Sequence, residues 1–341
     1  MLRHWKAAPK SRTGRHGTVA AAGRPALLAV AATMAAVGAV SAESLAQPSV
    51  GALEKRAADY IRFREDIATL EATPFNSAET TREAHRRLSA HDSKALSGGW
   101  VAYAALVAAD TPAFAEALKG EVASGKKFDG LKGKDAFIAR LSKDPGYPRR
   151  LGGADEATRR VLSMTAADIA RVNALGEAFK TQAYAMQKTA WGKKRISAPP
   201  ERLRDADAYA SGRPVATAPE LPALTEKGVT APMLASVEGP WGADWGKEAP
   251  AALSGAPDAQ VIMDRVLNLA ARYAVGGVNA QTVETWAKND RSERCLSMNV
   301  LMIRQCIAAT RTPYEEAFCL GEHGLIDQAN CLGWVAGAGG S

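Results

Sequence analysis

Cys295, Cys306, Cys319 and Cys331 are the chain's four cysteines and its sharpest chemical signal. Thiols at such spacings either bridge or bind metal. Structural zinc sites use close pairs two to four residues apart, and none is present, so the spacing favours disulfides. Cys306 follows Cys295 by eleven residues and Cys331 follows Cys319 by twelve. On a helix each pair therefore shares one face, but its members stand roughly 16–18 Å apart. A disulfide needs Cα atoms about 4.4–6.8 Å apart. Neither pair can close on itself, and each can close on the other helix.

The connector supplies the reversal. Thr312-Pro313-Tyr314-Glu315 reads as a helix start, with Thr312 as N-cap, Pro313 in the first helical position and Glu315 completing a capping box. Ser292 can cap the preceding helix, which runs to about Ala309. In the resulting antiparallel hairpin Cys306 and Cys319 lie near the turn, and Cys295 and Cys331 at the open end. Of the three pairings that four cysteines allow, Cys306–Cys319 with Cys295–Cys331 is the favoured one. The pattern is similar to paired-cysteine helical hairpins such as the mitochondrial twin CX9C proteins, at longer spacing, and the similarity implies geometry only. If Gly321 and Gly324 break the second helix, Cys319 and Cys331 fall on separate helices and the pairing stays open.

The same stretch holds the best candidate for acid–base chemistry. His323 sits in Cys319-Leu320-Gly321-Glu322-His323-Gly324, with Glu315, Glu316 and Asp327 close in sequence. A carboxylate–histidine group held by disulfides can act as acid and base. The alternative is that His323 caps a helix ending near Gly321, and Glu315 already has a local role in the capping box. His85 and His91, in a polar, arginine-rich helix, read as surface residues. The chain carries no C-x-x-C, no phosphate-binding glycine loop, no G-x-S-x-G and no H-E-x-x-H. The reading therefore includes no metal site and no cofactor.

Trp241 and Trp245, in Gly239-Pro240-Trp241-Gly242-Ala243-Asp244-Trp245-Gly246, are a candidate binding pair: two indoles in a glycine-rich loop can stack on sugar rings or plug the loop onto a core. They lie in residues 197–258, which hold nine of the chain's seventeen prolines. That density argues against long regular elements, so 197–258 reads as an irregular connector.

Around it the pattern is helical. Strand alternation is poor and alanine dominates, giving an all-α expectation. One amphipathic helix spans about Val50 to Glu71, with Leu53, Ala57, Tyr60, Ile61, Ile67 and Leu70 for burial. Thr80 starts a short polar helix, Trp100–Ala109 reads as a core helix, and Thr111-Pro112 restarts the chain. Asp135–Leu141 is short. Ala154 to about Ala190 carries one stripe, Val161, Ile169, Val172, Leu175, Phe179, Ala183 and Met186. Thr165 to Asp168 offers a second cap, leaving one helix or two open. Lys193-Lys194-Arg195 reads as complementing a helix C-terminus. Asp258 caps a helix bearing Ile262, Val266, Leu269, Ala270 and Tyr273, and Asn279 caps a shorter one.

Residues 1–42 read as a signal peptide: a basic region without acids, the apolar run Pro25–Val40, and Val40-Ser41-Ala42 before the cut. An uncleaved anchor is the alternative, although about 16 apolar residues are short for a span of about 20. The chain has 43 basic and 36 acidic residues. Without the leader's six basic residues the balance is 37 to 36, which removes nucleic acid as an expected partner. Domains follow as 43–196, an N-terminal helical domain; 197–258, the connector; and 259–336, a C-terminal helical region with the four-cysteine hairpin.

Trp100–Ala109, Phe137–Trp191 and Tyr314-Glu315-Glu316-Ala317-Phe318-Cys319 resemble an uncharacterised group of secreted four-cysteine proteins of alphaproteobacteria. The resemblance spans most of the chain after the leader and implies periplasmic or envelope residence and no activity. The expected role is therefore structural or binding, with another envelope protein or a glycan as partner and membrane contact only through the N-terminal signal. An envelope hydrolase acting on glycan, through Glu315, Glu316, His323 or Asp327, is the competing class.

Overall fold

The structure, a computed structural model, describes residues 51–73, 75–215 and 257–337. Residues 1–50 and 216–256 lie outside it, and with them the leader and both Trp241 and Trp245. The described residues belong to one compact unit. They are helical, with no strand among them; a lone bridge between Phe128 and Leu131 closes a turn.

The centre is α3, Ser93–Ala109, capped by the Asp92 carboxylate, which accepts the Ala95 N–H. Every residue from Leu96 to Ala108 is buried. A helix apolar on all sides belongs in the middle of a protein. It is covered by α1 (Ala52–Ala72), α8 (Gln260–Ala274), α10 (Asp290–Ala309) and the long α6 (Ala154–Met186). α4 (Pro112–Ala123) follows it directly, and α5 (Gly133–Lys143) and a 3₁₀ turn at Tyr147–Arg150 close that end. Gly99 permits a close crossing with α1, because a Cβ there would lie 2.9 Å from the Tyr60 backbone nitrogen. Residues before and after the connector thus share one core: α3 packs on both α1 and α8.

Several sequence readings are refined. α6 is one uninterrupted helix of 33 residues. Thr165 and Asp168 start no second helix; their side chains point into the core, where Thr165 accepts the Trp100 indole N–H and Asp168 the Tyr60 hydroxyl. The prolines of 197–258 do not keep its beginning irregular. Pro199–Gly212 is α7, with its prolines in the first turn, where a missing N–H costs nothing. α10 is capped by Asn289, whose side chain accepts the Ser292 N–H, and not by Ser292, which is buried and accepts the Trp334 indole N–H. Asp258 caps nothing. It lies in a 3₁₀ turn and pairs with Arg291 at 3.0 Å. Asn279 does cap α9 (Ala280–Trp286).

The C-terminal hairpin forms with both disulfides as the helical phase requires, Cys295–Cys331 and Cys306–Cys319, with Cα atoms 5.4 and 5.7 Å apart. Its second arm is α11 (Pro313–Cys319), a π-helical turn (Leu320–Ile326) and α12 (Asp327–Gly333) in one run. Gly321 and Gly324 do not break it. Gly321 lies against Gly176 of α6: a Cβ on Gly321 would sit 2.7 Å from the Gly176 carbonyl, and one on Gly176 2.6 Å from Ile326 Cγ1. A Gly176→Ala variant should therefore lose about 1–3 kcal/mol of stability by overpacking, measured by urea denaturation. A loss no larger for Gly176→Ala than for Ala substitution at Gly120, whose Cβ would meet nothing, would show that the crossing is not tight.

Candidate functional site

The four candidate acid–base residues do not converge. Glu315 Oε2 accepts the backbone N–H groups of Arg311 and Thr312, at 2.6 and 3.0 Å, and so holds the start of α11. Glu316, on the next position, is buried and faces the interior, where its Oε1 lies 3.0 Å from His85 Nδ1 and 3.5 Å from Arg202 Nε. His323 Nδ1 and Asp327 Oδ2 are 2.7 Å apart, a pair four residues apart across the π-to-α junction. The His323 carbonyl accepts from Asn299 of α10. His323 therefore caps no helix end at Gly321, because the helix continues through it. The neighbouring Glu322 is taken by Lys180 at 2.8 Å. One imidazole and one carboxylate remain, with no second acid free beside them in the set.

His85 and His91 are buried, against the surface reading. The signal for His85 was present: Thr81, Ala84, His85 and Leu88 make the buried stripe of α2 (Ala78–Leu88), spaced i, i+3, i+4, i+7. His91 packs edge-on to Phe63, with Nε2 2.9 Å from Asp66 Oδ2. Burial alone would raise the Asp66 carboxyl, but hydrogen bonds from His91 and Arg213 outweigh it and hold the group below its ordinary range. A second internal cluster joins Asp168 to Tyr60 and Arg64, and Arg64 to Tyr103. These clusters tie helices together. Missing them follows from reading one helix at a time, since each pairs residues tens of positions apart.

Helix α7 is held by charge. Arg202 is buried and donates to the carbonyls of Ser197, Ile307 and Thr310 and to the Thr310 hydroxyl, which fixes α7 beneath the C-terminal end of α10. Asp205 accepts from Arg82 and from Arg86 of α2, each Nε at 2.7 Å. Those bonds hold its carboxyl far below the ordinary carboxylate range. The folded-state value lies under that of the unfolded chain, near 3.9. The pair therefore stabilises fully above about pH 4 and is lost as pH falls through the depressed value. An Asp205→Asn variant should melt lower than wild type at pH 7, and the gap should shrink steadily below pH ~4. A gap that is constant with pH would show that the carboxylate charge is not what holds α7.

A cavity lined largely by apolar side chains lies beside this junction. It is an open groove of about 290 Å³ between the end of α6 and the hairpin turn. Ala183, Tyr184 and Gln187 form one wall, Cys306, Ala309 and Thr310 the other, and Tyr314, Glu315, Phe318 and Cys319 the floor and end. The rings of Tyr184 and Phe318 meet edge to face at 6.1 Å. Tyr184 is 60% exposed, unusual for an aromatic residue at the end of a packed helix. The Cys306–Cys319 disulfide belongs to the lining, so a covalent bond fixes the two hairpin arms that form one side of the groove. A second cavity of about 390 Å³ is bounded by Arg62, Tyr209, Gly212, Arg213 and Pro214. Its arginines are engaged internally, Arg62 by the Pro214 carbonyl and Arg213 by Asp66.

Lys193-Lys194-Arg195 complements no helix dipole. α6 ends at Met186, and the effect fades within a turn. The three residues sit in an exposed turn whose far end is fixed by the Ile196 N–H donating to the Arg311 carbonyl at 3.1 Å. No group of three or more His, Cys, Asp or Glu side chains is arranged to hold a metal among the described residues, and no single helix among them is long and apolar enough to cross a membrane. The chain matches no protein-family model, no curated protein and no solved structure.

Proposed function

We propose that this is a binding protein of the bacterial periplasm or envelope, whose groove beside the Cys306–Cys319 disulfide takes an apolar ligand. The observation that carries the reading is the groove's lining: three aromatic residues, Tyr184, Tyr314 and Phe318, with two alanines and a disulfide, open to solvent without a covering helix among the described residues. Its volume of about 290 Å³ is near the lower bound of small-ligand sites. Two disulfides and no free cysteine fit an oxidising compartment. The basic and apolar leader, read as cut after Ala42, and the resemblance to secreted alphaproteobacterial proteins support a compartment outside the cytoplasm. N-terminal sequencing of protein from the periplasm should begin at or near Glu43; recovery from the cytosol with Met1 intact would refute export.

The competing reading, an envelope hydrolase acting on glycan, has the His323–Asp327 pair in its favour. It is the weaker reading because Glu315 and Glu316 are committed elsewhere, and glycoside hydrolysis needs two carboxyl groups flanking one bond.

Binding is tested with an uncharged fluorescent probe, N-phenyl-1-naphthylamine. Wild-type protein should enhance its emission at one site per chain. An Ala309→Trp variant should abolish the enhancement, because Ala309 is exposed on the groove wall and its replacement fills the groove without entering the core. Equal enhancement by both proteins would place the probe elsewhere and refute the groove.

A further inference from the structure

The groove's lining holds no cation, but the chain segments that continue from two of its lining residues carry exposed basic side chains with no ion pair among the described residues. Gln187 lines the groove, and the chain runs from there through Lys188, Lys193, Lys194 and Arg195 to Ile196. Ile196 is bonded to Arg311, the neighbour of the groove residue Thr310. Both ends of the basic turn are thus anchored at the groove's edge. Lys188, Lys193, Lys194, Arg195 and Arg311 are all exposed, and none has a side-chain ion pair among the described residues. Exposed cations elsewhere on the surface commonly do have one: Lys94 with Glu284, Lys119 with Glu116, Lys126 with Glu121, Arg304 with Asp207. The carboxylate in the lining, Glu315, accepts two backbone N–H groups, which offset part of its charge.

We propose that the ligand is a single-chain anionic amphiphile, a long-chain carboxylate, with its alkyl chain against Tyr184, Phe318 and the disulfide and its headgroup beside the basic turn. This rests on the groove-binding reading above and adds the headgroup to it. The complementarity is of two kinds at adjoining places: an apolar trough, and exposed cations on the turn joined to its edge that have no ion pair among the described residues. An ammonium or neutral headgroup gains nothing from that turn. A carboxylate gains the attraction of several cations without displacing any internal ion pair.

The test uses the full-length mature protein, with dodecanoate and dodecanol displacing N-phenyl-1-naphthylamine below their micelle or solubility thresholds. Dodecanoate should bind one per chain and more tightly than dodecanol at low salt, and the difference should narrow as salt rises. The triple variant Lys193→Glu, Lys194→Glu, Arg195→Glu should weaken dodecanoate by about fivefold or more, the scale of one exposed ion pair, and leave dodecanol unchanged. All three positions are exposed in a turn, so the variant should melt as wild type does. Equal affinity for the two amphiphiles, unchanged by the triple variant, would overturn the headgroup assignment and leave the groove standing. Dodecanoate binding that survives Ala309→Trp would place the carboxylate away from the groove and also overturn the proposal. If the probe and both amphiphiles fail to bind wild-type protein, the groove reading itself falls.

Discussion

A helix buried on every side must be covered on every side, and α3 sets that requirement for the whole molecule. From Leu96 to Ala108 it offers no polar face to water. Its small residues, Gly98, Gly99 and several alanines, bring neighbours close, and its large ones, Trp100 and Tyr103, fix where they sit. α1, α6, α8 and α10 are the result, drawn from both sides of the connector. The same covering carries polar groups inward. Tyr60, Asp168, Asp66, His85 and Glu316 are buried by the helices that bear them and His91 by the loop after α2, and each is matched by a donor or acceptor from another element. A buried charge left alone costs several kcal/mol, so these pairs fix which helices meet as well as holding them there.

Periodicity made the fold class legible. The stripe Val161 to Met186, the α1 burial set and the Thr312–Glu315 start all depend on residues within one or two turns of each other, and all are present. The disulfide pairing was legible for the same reason: eleven- and twelve-residue spacings fix azimuth, and one reversal then leaves one sensible pairing. The errors share a cause as well. Proline density argues for irregularity over 197–258, yet Pro199 and Pro200 occupy the first turn of α7, where proline is well tolerated. Polar neighbours in sequence make His85 and His91 look exposed, while their burial is matched by Glu316 and Asp66 on other helices. Whether Thr165–Asp168 starts a second helix is open from sequence because the partner that draws Asp168 inward, Tyr60, lies 108 positions away.

The candidate site shows the same division. The cysteines and Glu315 could be placed from sequence, because their geometry is that of one hairpin. The groove could not, because its other wall comes from the end of α6, more than a hundred residues earlier. Nor could the role of Lys193-Lys194-Arg195 be assigned before the end of α6 was known. With that helix ending at Met186, the cluster is a feature of a surface turn beside an opening.

Why the groove stays open follows from what surrounds it. An apolar trench between two helices normally closes by a small shift of one toward the other, since contact is favoured over wet apolar surface. Here both walls are held. α6 is locked against the hairpin by the Gly176–Gly321 crossing. The hairpin turn is locked by Cys306–Cys319 from within, and Arg202 anchors it from below through the Ile307 and Thr310 carbonyls. Closing the groove from the hairpin side would strain the Cys306–Cys319 bond or the buried Arg202–Glu316 contact, and closing it from the α6 side would press Gly176 into Gly321. A cavity fixed in this way meets its ligand already shaped, and little ordering entropy is lost on binding. The disulfide therefore does for the hairpin side of the groove what α3 does for the core: it removes alternative arrangements of the two arms.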